Sequence, residues 1–598
     1  MPPRSARFWP LLLVLALAVK GDPAPAGDSV VILPPLFVTA RRAERPPWRY
    51  ACAGGVEVLS CCDDRTTRAF VAAYLRRKFQ LDDVLPPRLR AEQTAPTALI
   101  LIPPAAARAM NAELAAAMRE NTGGRTSGYV TPAGAPIDIY RIVRMMPQIM
   151  LSDSDSAGAV FDLGERDLGD PAPDPLARRF FPGGPSADFS GLNFTSGRVA
   201  EMVGDRAPPL PEWFRSGFMA FYGTIDWNAS ARDYHDILSL SAPGPFAPPL
   251  IWISERESRA LRRAPSADHP FLGAEELFAP PGAEEAPPAR RAVRDAEIAL
   301  LFHWALLDPA RSRREELWRF ADRASREPVT GALIRECFGL DPVALTQALR
   351  AFLPEALKRP VRLGDAGAAA AAPAIALRDA SELEIVRIQG DMGRREAAYV
   401  RADYPEEGAA YAEQAEAGLR RLYRQGERDP ALLASYGLFE HFQDRDEAAR
   451  PLLEAAAAAR VPRPALYAVL ARLRFQAALQ HPGGPDGLLS PAQARSVLEM
   501  VDASRRYAPP QKEAYIAAID AWAHSGPGLG PDAFALLEEA ARDFPEDLDL
   551  VEGAAKLCAE HGQLPRAQRL IDWAISCQPA GSFHRERLGN FREELAKP

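Results

Sequence analysis

The sequence predicts an α+β N-terminal domain followed by an all-α solenoid, and three observations carry that division. The first part holds short apolar runs punctuated by Pro and Gly, among them Thr97-Ala-Leu-Ile-Leu-Ile102, an uninterrupted pattern typical of a buried strand. Beyond Gly364-Asp-Ala-Gly-Ala-Ala-Ala-Ala-Ala-Pro373, a small-residue linker, no strand pattern is evident and helical periodicity runs to the end. In that last part, small residues and prolines recur at a fixed interval.

At 598 residues the chain is too long for one hydrophobic core. Its 47% apolar and 25% charged residues are ordinary globular values and argue against disorder. A net charge of -8 without basic clusters excludes an electrostatic footprint for nucleic acid.

Residues 1–26 read as a signal peptide. Arg4 and Arg7 form its basic start, residues 11–19 its apolar run, and Ala24-Pro-Ala26 its cleavage site. The run is shorter than the roughly 20 apolar residues a bilayer span requires. An exported protein, periplasmic or secreted, with no further membrane span is therefore expected.

Residues 27–125 read as a βαβ-type region. Pro34 and Pro35 confine residues 30–38 to an edge strand. Residues 48–52 and 56–60 form a hairpin turning at Gly54-Gly55. Asp63 or Asp64 caps a following helix whose stripe includes Phe70, Ala73, Tyr74 and Phe79, and residues 97–102 supply the next strand. Cys52 is placed to face Cys61 or Cys62 across the hairpin. Cys337, Cys558 and Cys577 fall in helical patterns as small buried residues.

Residues 126–362 continue the α+β part. Strands are expected at 137–143 and 148–152, and a Pro- and Gly-rich loop at 158–185. Helices follow near 191–204 and 213–222, then an apolar run at 250–253 and a Pro-rich stretch at 264–291 that is expected to loop over the surface. Core helices are read within 296–321, and a helix pair within 330–357 split at Phe338-Gly-Leu-Asp-Pro342. Residues 363–375 form the linker and 376–598 the helical region.

In that region Ala533, Leu537, Ala540 and Pro545 recur 34 positions later as Ala567, Ile571, Ala574 and Pro579. Ala521 and Ala555 take the small position of the preceding helices, and Gly437, Ala449, Leu453 and Ala456 form an earlier unit. Small residues let paired helices approach closely, and Pro ends the second helix. This pattern resembles tetratricopeptide repeats. His481-Pro-Gly-Gly-Pro-Asp-Gly487 interrupts the phase as a lengthened loop.

A second resemblance rests on Leu210-Pro-Glu-Trp-Phe-Arg-Ser-Gly-Phe-Met-Ala-Phe-Tyr222. It is similar to the P-x-W-F-x-E-G-x-A-x-Y pattern of gluzincin-type (peptidase MA-like) metallopeptidases, whose Glu is the third zinc ligand. Trp213, Phe214 and Gly217 keep the packing residues; Phe221 stands for the Tyr, Met219 for the Ala, and Ser216 for the ligand. An H-E-x-x-H helix should lie upstream, but residues 194–204 offer Glu201 and no imidazole, and the first histidine is His235. The resemblance thus implies a retained scaffold with no catalytic residue, metal or cofactor.

No G-x-S-x-G or phosphate-binding loop offers another chemistry. Asp153 and Asp155 lack the remaining calcium-loop ligands and read as a solvated turn. His303, between Phe302 and Trp304, reads as a core histidine. The expectation is an exported non-catalytic binding or scaffold protein whose repeats hold a peptide or protein partner; Tyr467, Arg472 and Arg474 lie on one of those helix pairs, in either its groove or its core. The alternative is a divergent hydrolase with an unrecognised active site.

Overall fold

The structure, a computed structural model, describes residues 47–75 and 94–102 with small gaps, parts of 150–162, 211–226 and 250–278, and most of 288–595. The expected signal peptide, the segments at 30–38 and 137–143, Glu201, Asp153, Asp155, His235 and the linker at 363–373 lie outside the described residues.

A six-stranded mixed sheet forms the N-terminal part. Its strands are β1 (Arg49–Ala53), β2 (Val56–Ser60), β3 (Thr97–Ile102), β4 (Met150–Ser152), β5 (Ala157–Asp162) and, arriving much later, β9 (Arg378–Asp379), in the order β4-β5-β3-β2-β1-β9. β2, β3 and β5 run parallel, and β1 and β4 flank them antiparallel. The parallel step from β2 to β3 is made through a helix that begins at Asp64, as the βαβ spacing predicts. Asp63 is its cap: its carboxylate accepts from the Thr66 backbone N–H at 2.9 Å. Every residue of β2 and β3 is buried, because a parallel pair is covered on both faces.

The two faces have different cover. Ala51, Val58, Leu99 and Leu101 join Val71, Tyr74 and Leu75 in a large core. Leu59, Ala98, Ile100 and Ile102 point the other way, against Ile388 and Met392 of helix α6 (Glu382–Asp403). Alternation at period two therefore serves two separate cores.

Four expectations need correction. β9 at 378–379 joins the sheet from inside the region read as wholly helical. Leu272, Leu277 and Phe278, within the Pro-rich stretch expected at the surface, are buried in the large core. Residues 157–162 form β5 and pair with β3, where a loop beginning at 158 was expected. Ala157-Gly-Ala-Val-Phe-Asp162 has little local strand signal, and the ladder with β3 supplies the rest. The hairpin register sets Cys52 opposite Glu57, so Cys61 lies four positions along the ladder, about 13 Å away at the usual strand rise. The six cysteines stand as thiols and not as disulfides: Cys52 is exposed and the other five are buried.

Between the sheet and α6 lie α1 (Ala274–Leu277), α2 (Pro288–Leu307), α3 (Arg314–Ala324), α4 (Gly331–Phe338) and α5 (Pro342–Ala356). The α4–α5 break falls where the sequence places it. Thr330 caps α4, Gly339 ends it in the left-handed conformation (φ 70°), and Asp341 caps α5 with Pro342 in its first turn. A small second sheet joins β6 (Ile225–Asp226), β7 (Leu250–Ile251) and β8 (Val361–Arg362).

From α6 onward the chain is a stack of helix pairs. α6 pairs with α7 (Pro405–Arg424), α8 (Pro430–Phe442) with α9 (Asp446–Ala458), and α10 (Pro464–Gln480) with α11 (Pro491–Arg505). α12 (Lys512–Ala523) and α13 (Pro531–Asp543), then α14 (Leu548–Glu560) and α15 (Leu564–Cys577), continue the series, and α16 (Phe583–Leu595) packs on α14 and α15. The first helix of each pair touches the first helix of the next, the stacking expected of an α-solenoid. No helix among the described residues is long and apolar enough to cross a membrane.

The first helix of the stack also belongs to the sheet. Arg387 of α6 pairs with Glu57 of β2, which also accepts from the Tyr50 hydroxyl at 2.8 Å. One turn on, Asp391 accepts from Arg463 at 3.0 Å and from Ser435 of α8 at 2.9 Å. Burial alone would raise the Asp391 carboxyl, but Arg463, Arg395, Arg394 and Arg387 outweigh it and hold it below the usual aspartate range.

With Cys52 as the exposed thiol, a thiol reagent applied to the native chain should modify one cysteine rapidly and the other five only on denaturation. Cys52→Ser should remove the fast reaction. Several fast thiols, or a fast phase that survives Cys52→Ser, would show that the burial of the others is wrong.

Candidate functional site

The sequence singles out the tryptophan motif at 210–222. Helical residues 213–221 turn their aromatic side chains inward: Trp213, Phe214, Phe218 and Phe221 are all buried in the large core. The Trp213 ring lies 5.0 Å from Phe278 and 5.3 Å from Phe320, and Phe214 lies 5.3 Å from Phe302. Gly217 faces α2 so closely that an added Cβ would come within 2.2 Å of Ile298 Cγ2 and 2.7 Å of Phe302. The segment thus rests directly on α2, and any larger residue at 217 would force the two apart. Ser216 lies outside the described residues. Among the described residues no group of three or more His, Cys, Asp and Glu is arranged to hold a metal ion.

Two titratable groups on α2 belong to this core. Burial pushes the Glu297 carboxyl up to about 8, and both its oxygens lie 3.1 Å from the Leu272 backbone N–H. Burial pushes the His303 imidazole down to about 3, and Phe221 meets its ring edge-on at 5.1 Å. Both are therefore neutral near pH 7, a carboxylic acid and an imidazole with no charge to desolvate. His303 sits in the core, where the sequence places it.

Of the positions that the sequence reads as repeat signatures, Gly437 lies at a contact between paired helices. An added Cβ on Gly437 of α8 would come within 2.7 Å of Leu453 on α9, so only glycine permits that approach. Ala449, Ala456, Ala540, Ala567 and Ala574 are fully buried, and Ala533 nearly so. Pro545 follows the end of α13, whereas Pro579 lies outside the described residues. On α10 the structure separates groove from core: Tyr467 is buried and stacks at 5.6 Å on Tyr507, Arg474 binds Glu454 and Ser496, and Arg472 is exposed.

A cleft opens where two of these pairs have long internal connections. In α8–α9 and α14–α15 the helices are joined by residues 443–445 and 561–563, but α10–α11 uses 481–490 and α12–α13 uses 524–530. The two long connections meet: the Leu489 N–H donates to the His524 carbonyl at 2.7 Å, and Leu489 and Ser525 form a parallel bridge. Beside them lies a cleft of about 310 Å³ between one face of α11 and the α12–α13 connection. Ala494, Leu498, Trp522 and Leu529 supply its apolar surface, Gly526 and Gly528 its backbone edge, and Arg495, Glu499 and Asp502 its charges.

This cleft has no motif of its own in the sequence. The available signal was His481-Pro-Gly-Gly-Pro-Asp-Gly487 together with the glycines at 526, 528 and 530, since insertions in a repeat array gather as loops on one face. No protein-family profile and no curated protein matches this chain.

Glu297 has a distinct pH signature. Its folded-state value of about 8 exceeds its ordinary 4.5, so the unfolded chain releases the proton first. Its contribution to stability is full below about 4.5 and is lost as pH rises to about 8. Glu297→Gln should therefore gain in melting temperature over the wild type as pH rises through that window. A difference between the two that does not change with pH would contradict the buried, protonated carboxyl.

Proposed function

We propose that this chain is a non-catalytic binding protein whose helical hairpins, resembling tetratricopeptide repeats, hold a peptide segment of a partner protein. The α+β part, resembling a gluzincin-type peptidase that has lost its zinc ligands, acts as the scaffold on which the stack is mounted. The observation that carries the reading is the open cleft on α11. It combines an aromatic ring, aliphatic side chains, exposed backbone and the charged side chains of Arg495, Glu499 and Asp502. Small polar-rimmed clefts with an apolar floor are the usual form of a peptide anchor site.

Loss of peptidase chemistry is supported by the chain itself, with Ser216 at the ligand position and no histidine before His235. Repeat character is supported by the spacing of Gly437, Ala449 and Ala456, and of the two later units, on helices that stack in pairs. The buried aromatic faces of residues 213–221 serve the scaffold reading, since they place that segment in the core.

A photoreactive amino acid at Arg495, in the cleft, should yield a discrete cross-linked species in extracts of the producing cells. The same group at Lys556, exposed on α14 away from the cleft, should not. Equal labelling from both positions would overturn the cleft as the binding site. Stoichiometric zinc in the purified chain, with peptide hydrolysis abolished by a chelator, would overturn the non-catalytic reading.

A further inference from the structure

Within that reading, on which this step rests, the charges around the cleft select among peptide ligands. Glu499 and Asp502 lie one turn apart on the face of α11 that lines it, and both are exposed. Glu499 forms no ion pair among the described residues. Among the described residues Asp502 meets only Arg505, at 3.5 Å, and Arg505 is already committed to Glu539 of α13 through two hydrogen bonds at 3.1 and 2.5 Å. The two carboxylates therefore remain largely unmatched within the protein.

The other side of the same cleft is an indole. Trp522 is half-buried there, beside Leu498 and Leu529, and indole is the aromatic ring that best attracts a cation. Carboxylates and an indole bordering one concave space complement an ammonium or guanidinium on an aliphatic stem, whose methylenes would cover the apolar floor. The chain's net charge of -8 favours approach of a basic segment. Arg495, one turn before Glu499, forms no ion pair among the described residues either; it borders the cleft toward the start of α11 and disfavours a second cation there.

We infer that the cleft between α11 and the α12–α13 connection binds an extended peptide segment through one lysine or arginine side chain, seated against Trp522 beside Glu499 and Asp502. The paired connections hold this site open, because the Leu489–His524 hydrogen bond fixes the Gly-rich edge relative to α11. The exposed backbone at Gly526 and Gly528 would run beside the bound segment.

The test is selection of a phage-displayed random peptide library on the full chain. It is run in parallel on Trp522→Ala and on the Glu499→Gln/Asp502→Asn double variant, with melting curves verifying that each variant folds. The expected result is a set of Trp522-dependent peptides sharing one Lys or Arg, whose affinity falls about tenfold on neutralising the two carboxylates. Trp522-dependent peptides that lack a basic residue, or that bind the double variant equally well, would overturn the cationic anchor while leaving the cleft as a peptide site. Failure to select any Trp522-dependent peptide would overturn both.

Discussion

Helix α6 is demanded by two structures at once, and the rest of the chain is arranged around that fact. A parallel strand pair such as β2–β3 exposes apolar side chains on both faces and needs cover on each. Ile388 and Met392 provide it for Leu59, Ala98, Ile100 and Ile102, from a helix that begins 280 residues after the end of β3. The polar groups on the same helix are buried with it and must be matched. Arg387 satisfies Glu57 in the sheet, while Asp391 accepts from Arg463 and Ser435 in the stack. Removing one member of such a buried pair leaves the other charge uncompensated, at a cost of about 3–5 kcal/mol. The sheet and the helical stack are thereby made dependent on each other. A second tie lies near the cleft, where Thr94 and Ala508 exchange two hydrogen bonds at 2.9 Å.

The cleft follows from how the stack is built. Paired helices pack closely with a short connection, as at 443–445 where Gly437 marks how little room remains, and with a long one, as in α10–α11. Where connections lengthen, as in the third and fourth pairs, the loops satisfy their backbone against each other. The face of α11 beside them stays open, and the C-terminal end of α11 is pinned to α13 through Arg505 and Glu539. Loop residues on a rigid helical frame are a common site of recognition, because the frame positions them without being altered by their sequence.

Local signals were the legible ones. Thr330, Gly339, Asp341 and Pro342 carry the end of one helix and the start of the next in their own conformational preferences. The uninterrupted apolar run of β3 and the inward aromatics at 213, 214, 218 and 221 are equally readable. What could not be read depends on distant partners. β5 is a strand because β3 lies beside it, and β9 and α6 return to the sheet across a small-residue stretch that looks like a boundary. Cys52 and Cys61 are near in sequence but separated by register. The cleft was hidden for the same reason: Trp522 and Glu499 belong to different helices, and only the packing of two lengthened connections brings their surfaces to one space.

Hydrogen–deuterium exchange on the full chain, comparing the wild type with Asp391→Asn, measures the dependence of sheet and stack most directly. Coupling through α6 predicts that protection falls not only in α8 and α10, which hold Ser435 and adjoin Arg463, but also in β2 and β3. Faster exchange confined to the helical stack, with β2 and β3 as protected as in the wild type, would contradict it.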